Sequence, residues 1–108
     1  MFFQPRQFPR MKLELAVRVD CFDRWLTATS VEVGSGGMSL KKGDSLSVSQ
    51  PVQLSFVLPN GQPVVIQAVI WWKRAELLGV RFDPSDRNRL IVAQWMETQK
   101  TSAAPAKG

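Results

Sequence analysis

Histidine is absent from this 108-residue chain, and cysteine occurs once, at Cys21. The first absence removes the commonest proton shuttle near neutral pH and the commonest transition-metal ligand. The second rules out an internal disulfide framework. Together they exclude a zinc site and any Cys–His or Ser–His couple built from this chain. The acids are scattered and suggest no carboxylate pair, so an enzyme is not expected. Cys21, beside Phe22 near a turn, reads as a small apolar filler.

Long apolar runs are missing as well. The longest, residues 64–72, is interrupted by Gln67 and falls far short of the ~20 residues a membrane helix needs. The opening MFFQPRQFPR has no basic start, apolar core or small-residue cleavage site of the kind a secretory signal carries. A cytoplasmic location without direct membrane insertion is therefore expected. What the chain does have is 44% apolar residues in short, separated runs, enough for one modest core. Lys and Arg number 14 against 9 Asp and Glu, a formal charge of +5. Residues 1–12 contribute Arg6, Arg10 and Lys12 with no acid. Such a basic arm suits an anionic partner (nucleotide, nucleic acid, acidic protein or lipid surface), and composition does not choose among them.

Residues 1–11 show no period and contain Pro5 and Pro9, so they read as an arm. Residues 12–98 read as the folded domain, and 99–108, small and polar, as a disordered tail. From Leu13 to Val19, apolar residues alternate with Glu14, Ala16 and Arg18, the mark of a half-buried strand. After a turn at residues 20–23, a second run places Trp25, Thr27, Thr29, Val31 and Val33 on one face. Gly34-Ser35-Gly36-Gly37 ends that run as a tight turn or bulge, and Met38 and Leu40 begin a third strand. Val52, Leu54, Phe56 and Leu58 alternate next. Asn60-Gly61 then signals a type I′ hairpin. The return strand sets Val64, Ile66, Ala68, Ile70 and Trp72 on one face, and residues 77–82 form the last strand. Asp83-Pro84 reads as a helix start, with Leu90, Ile91, Ala93, Trp95 and Met96 as the apolar face. The expected fold is mainly β, a six-stranded antiparallel β-barrel with a C-terminal helix over one opening. Trp25, Trp72 and Trp95 are expected in the core; Trp71 either packs under the helix or stays exposed as a contact surface.

Arg6-Gln7-Phe8-Pro9-Arg10 sets two guanidinium groups four residues apart ahead of the first strand. Glu32-Val33-Gly34-Ser35-Gly36-Gly37 follows the second strand, and Gly79-Val80-Arg81-Phe82 stands near the end of the sheet. In order and spacing these segments resemble the PilZ domain family, small split barrels marked by R-x-x-x-R and [D/N]-x-S-x-x-G, and the resemblance runs over roughly residues 4–98. It implies binding of the bacterial second messenger cyclic di-GMP, which carries two phosphates and two guanines. A guanidinium offers a donor fork to phosphate oxygens or to guanine O6 and N7, and stacks on a base. Carried over by position, Arg6 and Arg10 would clamp the ligand from a mobile arm, Glu32 would accept from the guanine donor edge, and Gly37 would allow close approach. Gly34 stands where the pattern has Ser, with the hydroxyl of Ser35 next door, and Glu32 stands where it has Asp or Asn. Both departures imply weakened binding. The place before the first motif Arg is Pro5, which implies one ligand per site.

The expected function is a cyclic di-GMP receptor that passes binding to an effector protein or domain, with no cofactor or metal. A degenerate PilZ-like adaptor, working by protein contacts without the ligand, is the alternative. A nucleic-acid-binding barrel is disfavoured because most aromatics look buried, whereas single-strand binders stack bases on exposed ones.

Overall fold

Side chains alternate between solvent and interior from Arg10 to Asp20 in the computed structural model, which describes residues 10–41 and 46–103. Hydrogen bonding divides this run into β1 (Arg10–Lys12) and β2 (Ala16–Asp20). Both pair antiparallel with one long strand, β3 (Trp25–Gly34), Lys12 opposite Glu32 and Ala16 opposite Thr29. Between those pairs the first strand holds one residue more than β3, which makes a bulge. Ser30, 1% exposed, staples it: the hydroxyl donates to the Leu13 carbonyl and accepts from the Leu15 N–H at 2.8 Å. Ser30→Ala removes both bonds from a buried place. It is expected to cost about 1–3 kcal/mol, read as a lower urea midpoint with an unchanged slope.

The remaining elements are β4 (Gly37–Lys41), β5 (Pro51–Val57), β6 (Pro63–Arg74), β7 (Leu77–Phe82) and α1 (Arg89–Ala103). Pairings β2–β3, β3–β4, β4–β7, β7–β6, β6–β5 and β5–β2 close a ring. The fold is thus the expected closed six-stranded antiparallel barrel with one helix, and β1 is a short seventh strand lying along β3. Arg10, expected on a mobile arm, belongs to the sheet. Closure leaves the six barrel strands without a long free edge.

The barrel is filled by the alternating apolar residues of every strand, among them Val17, Val19, Leu40, Leu54, Ile66, Ile70 and Val80. From α1, Val92, Trp95 and Met96 join this core at positions i, i+3 and i+4 of one helical face. The helix begins at Arg89, later than Asp83-Pro84 suggests, because the intervening residues bond elsewhere. The Ser85 N–H and hydroxyl both donate to Asp83 Oδ1 (2.9 and 2.8 Å), which holds the Asp83 carboxyl below its usual 3.8. Asp86 accepts from the Gln67 N–H, and Asn88 donates to the Val65 carbonyl, so residues 83–88 cover the part of β6 that β7 leaves unpaired. The helix also runs on through residues 100–103, where the sequence pointed to tail.

Two further expectations change. Trp25 is 57% exposed. Period two holds only as far as Ser30, with Ala28 and Ser30 on the inner face and Trp25, Thr27 and Thr29 on the outer one. A register shift between Ser30 and Glu32 then turns Val33 inward. At Asn60-Gly61 only Gly61 has positive φ, at 90°. The Gly61 N–H donates to the Leu58 carbonyl and the Leu58 N–H to the Gln62 carbonyl. The loop is therefore a three-residue turn with Pro59 at its first corner and a left-handed glycine closing it, not type I′.

Candidate functional site

In β4, Met38 and Leu40 are core, so Gly37, Ser39 and Lys41 take the opposite face; in β7, Leu78, Val80 and Phe82 are core, which turns Gly79 and Arg81 outward. Cross-strand partners share a face, and the register therefore builds two outer rows. One runs Lys12, Glu32, Ser39, Gly79, Trp72 across β1, β3, β4, β7 and β6. The other pairs Arg10 with Gly34 and, past the Ser35-Gly36 turn, Gly37 with Arg81 and Arg81 with Val69. Two guanidinium-bearing residues thus flank a floor of glycines, roughly 14 Å apart at one strand spacing per step. Gly34 and Gly37 carry no side chains, so the backbone between the two arginines lies low, as a trench whose glycines are themselves buried.

Each glycine and serine of the turn has a distinct place. Gly37 is buried, and a Cβ there would lie 2.2 Å from the Val80 carbonyl oxygen. Its role in the fold is close approach between β4 and β7. Gly34 is also buried, whereas Ser35 is half-buried in the turn. The Gly36 carbonyl accepts from the Phe82 N–H at 2.9 Å, tying the turn to the end of β7. The Glu32 N–H donates to Ser39 Oγ at 3.2 Å, and its carboxylate lies 3.6 Å from Arg10 Nη1. Arg10, Glu32, Gly34, Ser35 and Gly37 therefore meet on one stretch of the outer face. Arg6 and Pro5 lie outside the described residues.

At the far end of the trench stand Arg81 and Trp71, to which the sequence motifs assign no part in the site. The β6–β7 register shifts between Ile70 and Trp72, and this bulge brings both Trp71 and Trp72 to the outer face. Trp72, which the alternation had placed in the core, lies instead over Gly79, its indole filling the space a Cβ would need. Trp71 is 56% exposed, and the Arg81 guanidinium sits 4.6 Å from its ring centroid. Stacking uses only the face of a guanidinium, so this contact does not occupy its fork of donors. An open groove of about 480 Å³, lined by Pro51, Val69, Trp71, Arg81 and Pro84, lies beyond Arg81 on the β6 side. The signal available in sequence was the Trp71-Trp72 pair, since one strand cannot turn two adjacent residues to one face without a bulge.

The PilZ domain family model matches residues 4–97. The chain belongs to the PilZ domain family. Among solved structures, this PilZ domain is similar to the PilZ domain of CeSA from a cellulose-synthesizing bacterium, with a TM-score of 0.71, 18% identity, and 85% of this chain and 98% of that one covered. It is also similar to the Bacillus subtilis inhibitor of motility MotI/DgrA, with a TM-score of 0.73 and 17% identity. That match covers 93% of this chain but 53% of the inhibitor, so the PilZ domain spans about half of it. At these identities the likeness is one of fold. No curated protein matches the chain in sequence. Among the described residues, no helix is long and apolar enough to cross a membrane, and no cluster of acids and cysteine is arranged to hold a metal ion.

Proposed function

We propose that this PilZ domain is a receptor for cyclic di-GMP that passes occupancy to a partner protein or domain in the cytoplasm. The observation that carries the reading is the glycine-floored trench with Arg10 at one end and Arg81 beside Trp71 at the other. Phosphate oxygens suit the guanidinium forks, whose planar donors match them two at a time. A guanine suits the exposed indole of Trp71, where stacking is worth about 1–3 kcal/mol per base. The low floor lets a flat, doubly charged ligand lie close to the backbone. Arg6 would then close over the ligand from the arm. Binding alters where the arm lies, which is a change a partner can read.

One observation favours a second reading, of an adaptor that works by protein contact. Phe22 is 99% exposed and Trp25 57% exposed, with the Arg18 guanidinium 4.4 Å from the Trp25 ring centroid. Large exposed aromatics beside an Arg are the residue types that dominate protein interfaces. Inhibition of motility and cellulose synthesis, named for the two similar structures, indicate the kind of process such a contact would serve. Calorimetric titration with cyclic di-GMP, with GMP and cyclic di-AMP as controls, separates the readings. Saturable heat for cyclic di-GMP alone, at one ligand per chain, is the expected result. No heat at millimolar ligand would discard the receptor and leave the adaptor.

A further inference from the structure

We infer that Glu32 is an internal competitor for Arg10, holding the guanidinium that the ligand must take, and so sets the affinity of the trench by opposing binding. This inference rests on the receptor reading above and reverses the sign of the part that the family resemblance implies for Glu32. A carboxylate placed to accept from guanine should face open trench. Here it faces Arg10, at 3.6 Å, with both side chains about 30% exposed. Among the described residues no other acid pairs with Arg10.

The register explains how this pairing arises. Lys12 is the direct partner of Glu32, and Arg10 is the partner of Gly34. Gly34 has no side chain to offer Arg10, so the guanidinium turns diagonally to the nearest carboxylate. The reach is set by one methylene. Aspartate at this place would draw the carboxylate back by roughly 1.5 Å, beyond ion-pair distance. The residue that departs from the family pattern is thus the one long enough to occupy the arginine.

At 3.6 Å the contact is an ion pair without a good hydrogen bond, and its partial exposure keeps it weak. A phosphate can displace it, because charge-assisted bonds to a guanidinium fork are stronger. The trench is therefore damped, not closed. Once displaced, the carboxylate remains beside the phosphate, which adds to the opposition.

The test is titration calorimetry of the full chain with cyclic di-GMP, using wild type, Glu32→Gln, Glu32→Asp, Arg10→Ala and the Arg10→Ala/Glu32→Gln double variant. Glu32→Gln is expected to bind about two- to fivefold more tightly, the range of an exposed ion pair. Glu32→Asp should move in the same direction. In the Arg10→Ala background most of the gain should vanish, because the arginine being released is gone. Weaker or unchanged binding by both Glu32 variants would overturn the inference while leaving the receptor reading intact. A full gain that persists without Arg10 would also overturn it, by placing the effect on the ligand directly. If neither wild type nor any variant takes up ligand, the receptor reading and this inference fail together.

Discussion

Arg81→Ala is expected to weaken cyclic di-GMP binding by about ten- to a hundredfold, with little change in the stability of the domain. A hydrogen bond to a charged group contributes about 1.5–3 kcal/mol, and each 1.4 kcal/mol is tenfold in affinity. Arg81 is exposed, and its Trp71 contact lies on the outer face of the barrel, away from the core. Surface substitutions of this kind usually stay within about 0.5 kcal/mol of wild type. Arg81→Lys should recover only part of the loss, since an ammonium keeps the charge but not the planar fork or the stacking surface. Calorimetry and thermal melts of the three proteins check both halves. Wild-type affinity in Arg81→Ala would confine the site to the β1–β3 end of the trench.

Gly37→Ala should damage the fold itself. The added Cβ would sit 2.2 Å from the Val80 carbonyl oxygen and 3.3 Å from the Arg81 Cα. Both obstacles are backbone, so no side-chain rotation relieves them, and β4 must pull away from β7. That pairing closes the barrel. Overpacking of this kind costs on the order of 3 kcal/mol, which lowers the melting temperature of a domain this size by roughly 10–20 °C. Gly79→Ala makes an informative contrast. Its obstacle is the Trp72 indole at 2.1 Å, a side chain that can swing out to solvent. It should cost less stability and shift tryptophan emission to the red. A Gly37→Ala protein melting within about 3 °C of wild type would show that the strands yield there, and would move the purpose of Gly37 to the ligand.

The two glycines differ only through their tertiary neighbours, although both stand in the chain as punctuation. The same division holds for the strands. Alternation located them well, and residues 77–82 form β7 as expected. The inner faces of β5 and β6 were also legible, because Val52, Leu54 and Phe56, and then Val64, Ile66, Ala68 and Ile70, repeat every second residue without interruption. β3 was not. Its register shift reverses the face beyond Ser30, and the alternation before it fits either assignment while Thr and Ala are shared between the faces. Trp25 went to the wrong side for that reason. A guanidinium beside it compensates the exposure, a contact that no spacing in the sequence announces.

By itself the sequence determined the class of fold, the order of its strands, the family, and one end of the candidate site. Those properties are local: a period of two, a turn residue, or a motif of fixed spacing can be read within a dozen residues. Only the tertiary structure decided that β4 lies between β3 and β7, that the Trp71-Trp72 bulge turns both rings outward, and that Arg81 stands across the glycines from Arg10. It also decided that Glu32 meets Arg10. These depend on pairings between distant segments and on bulges of a single residue. One inserted residue exchanges the two faces of a strand, and hydrophobic patterning registers that exchange only after the strand has found its neighbours.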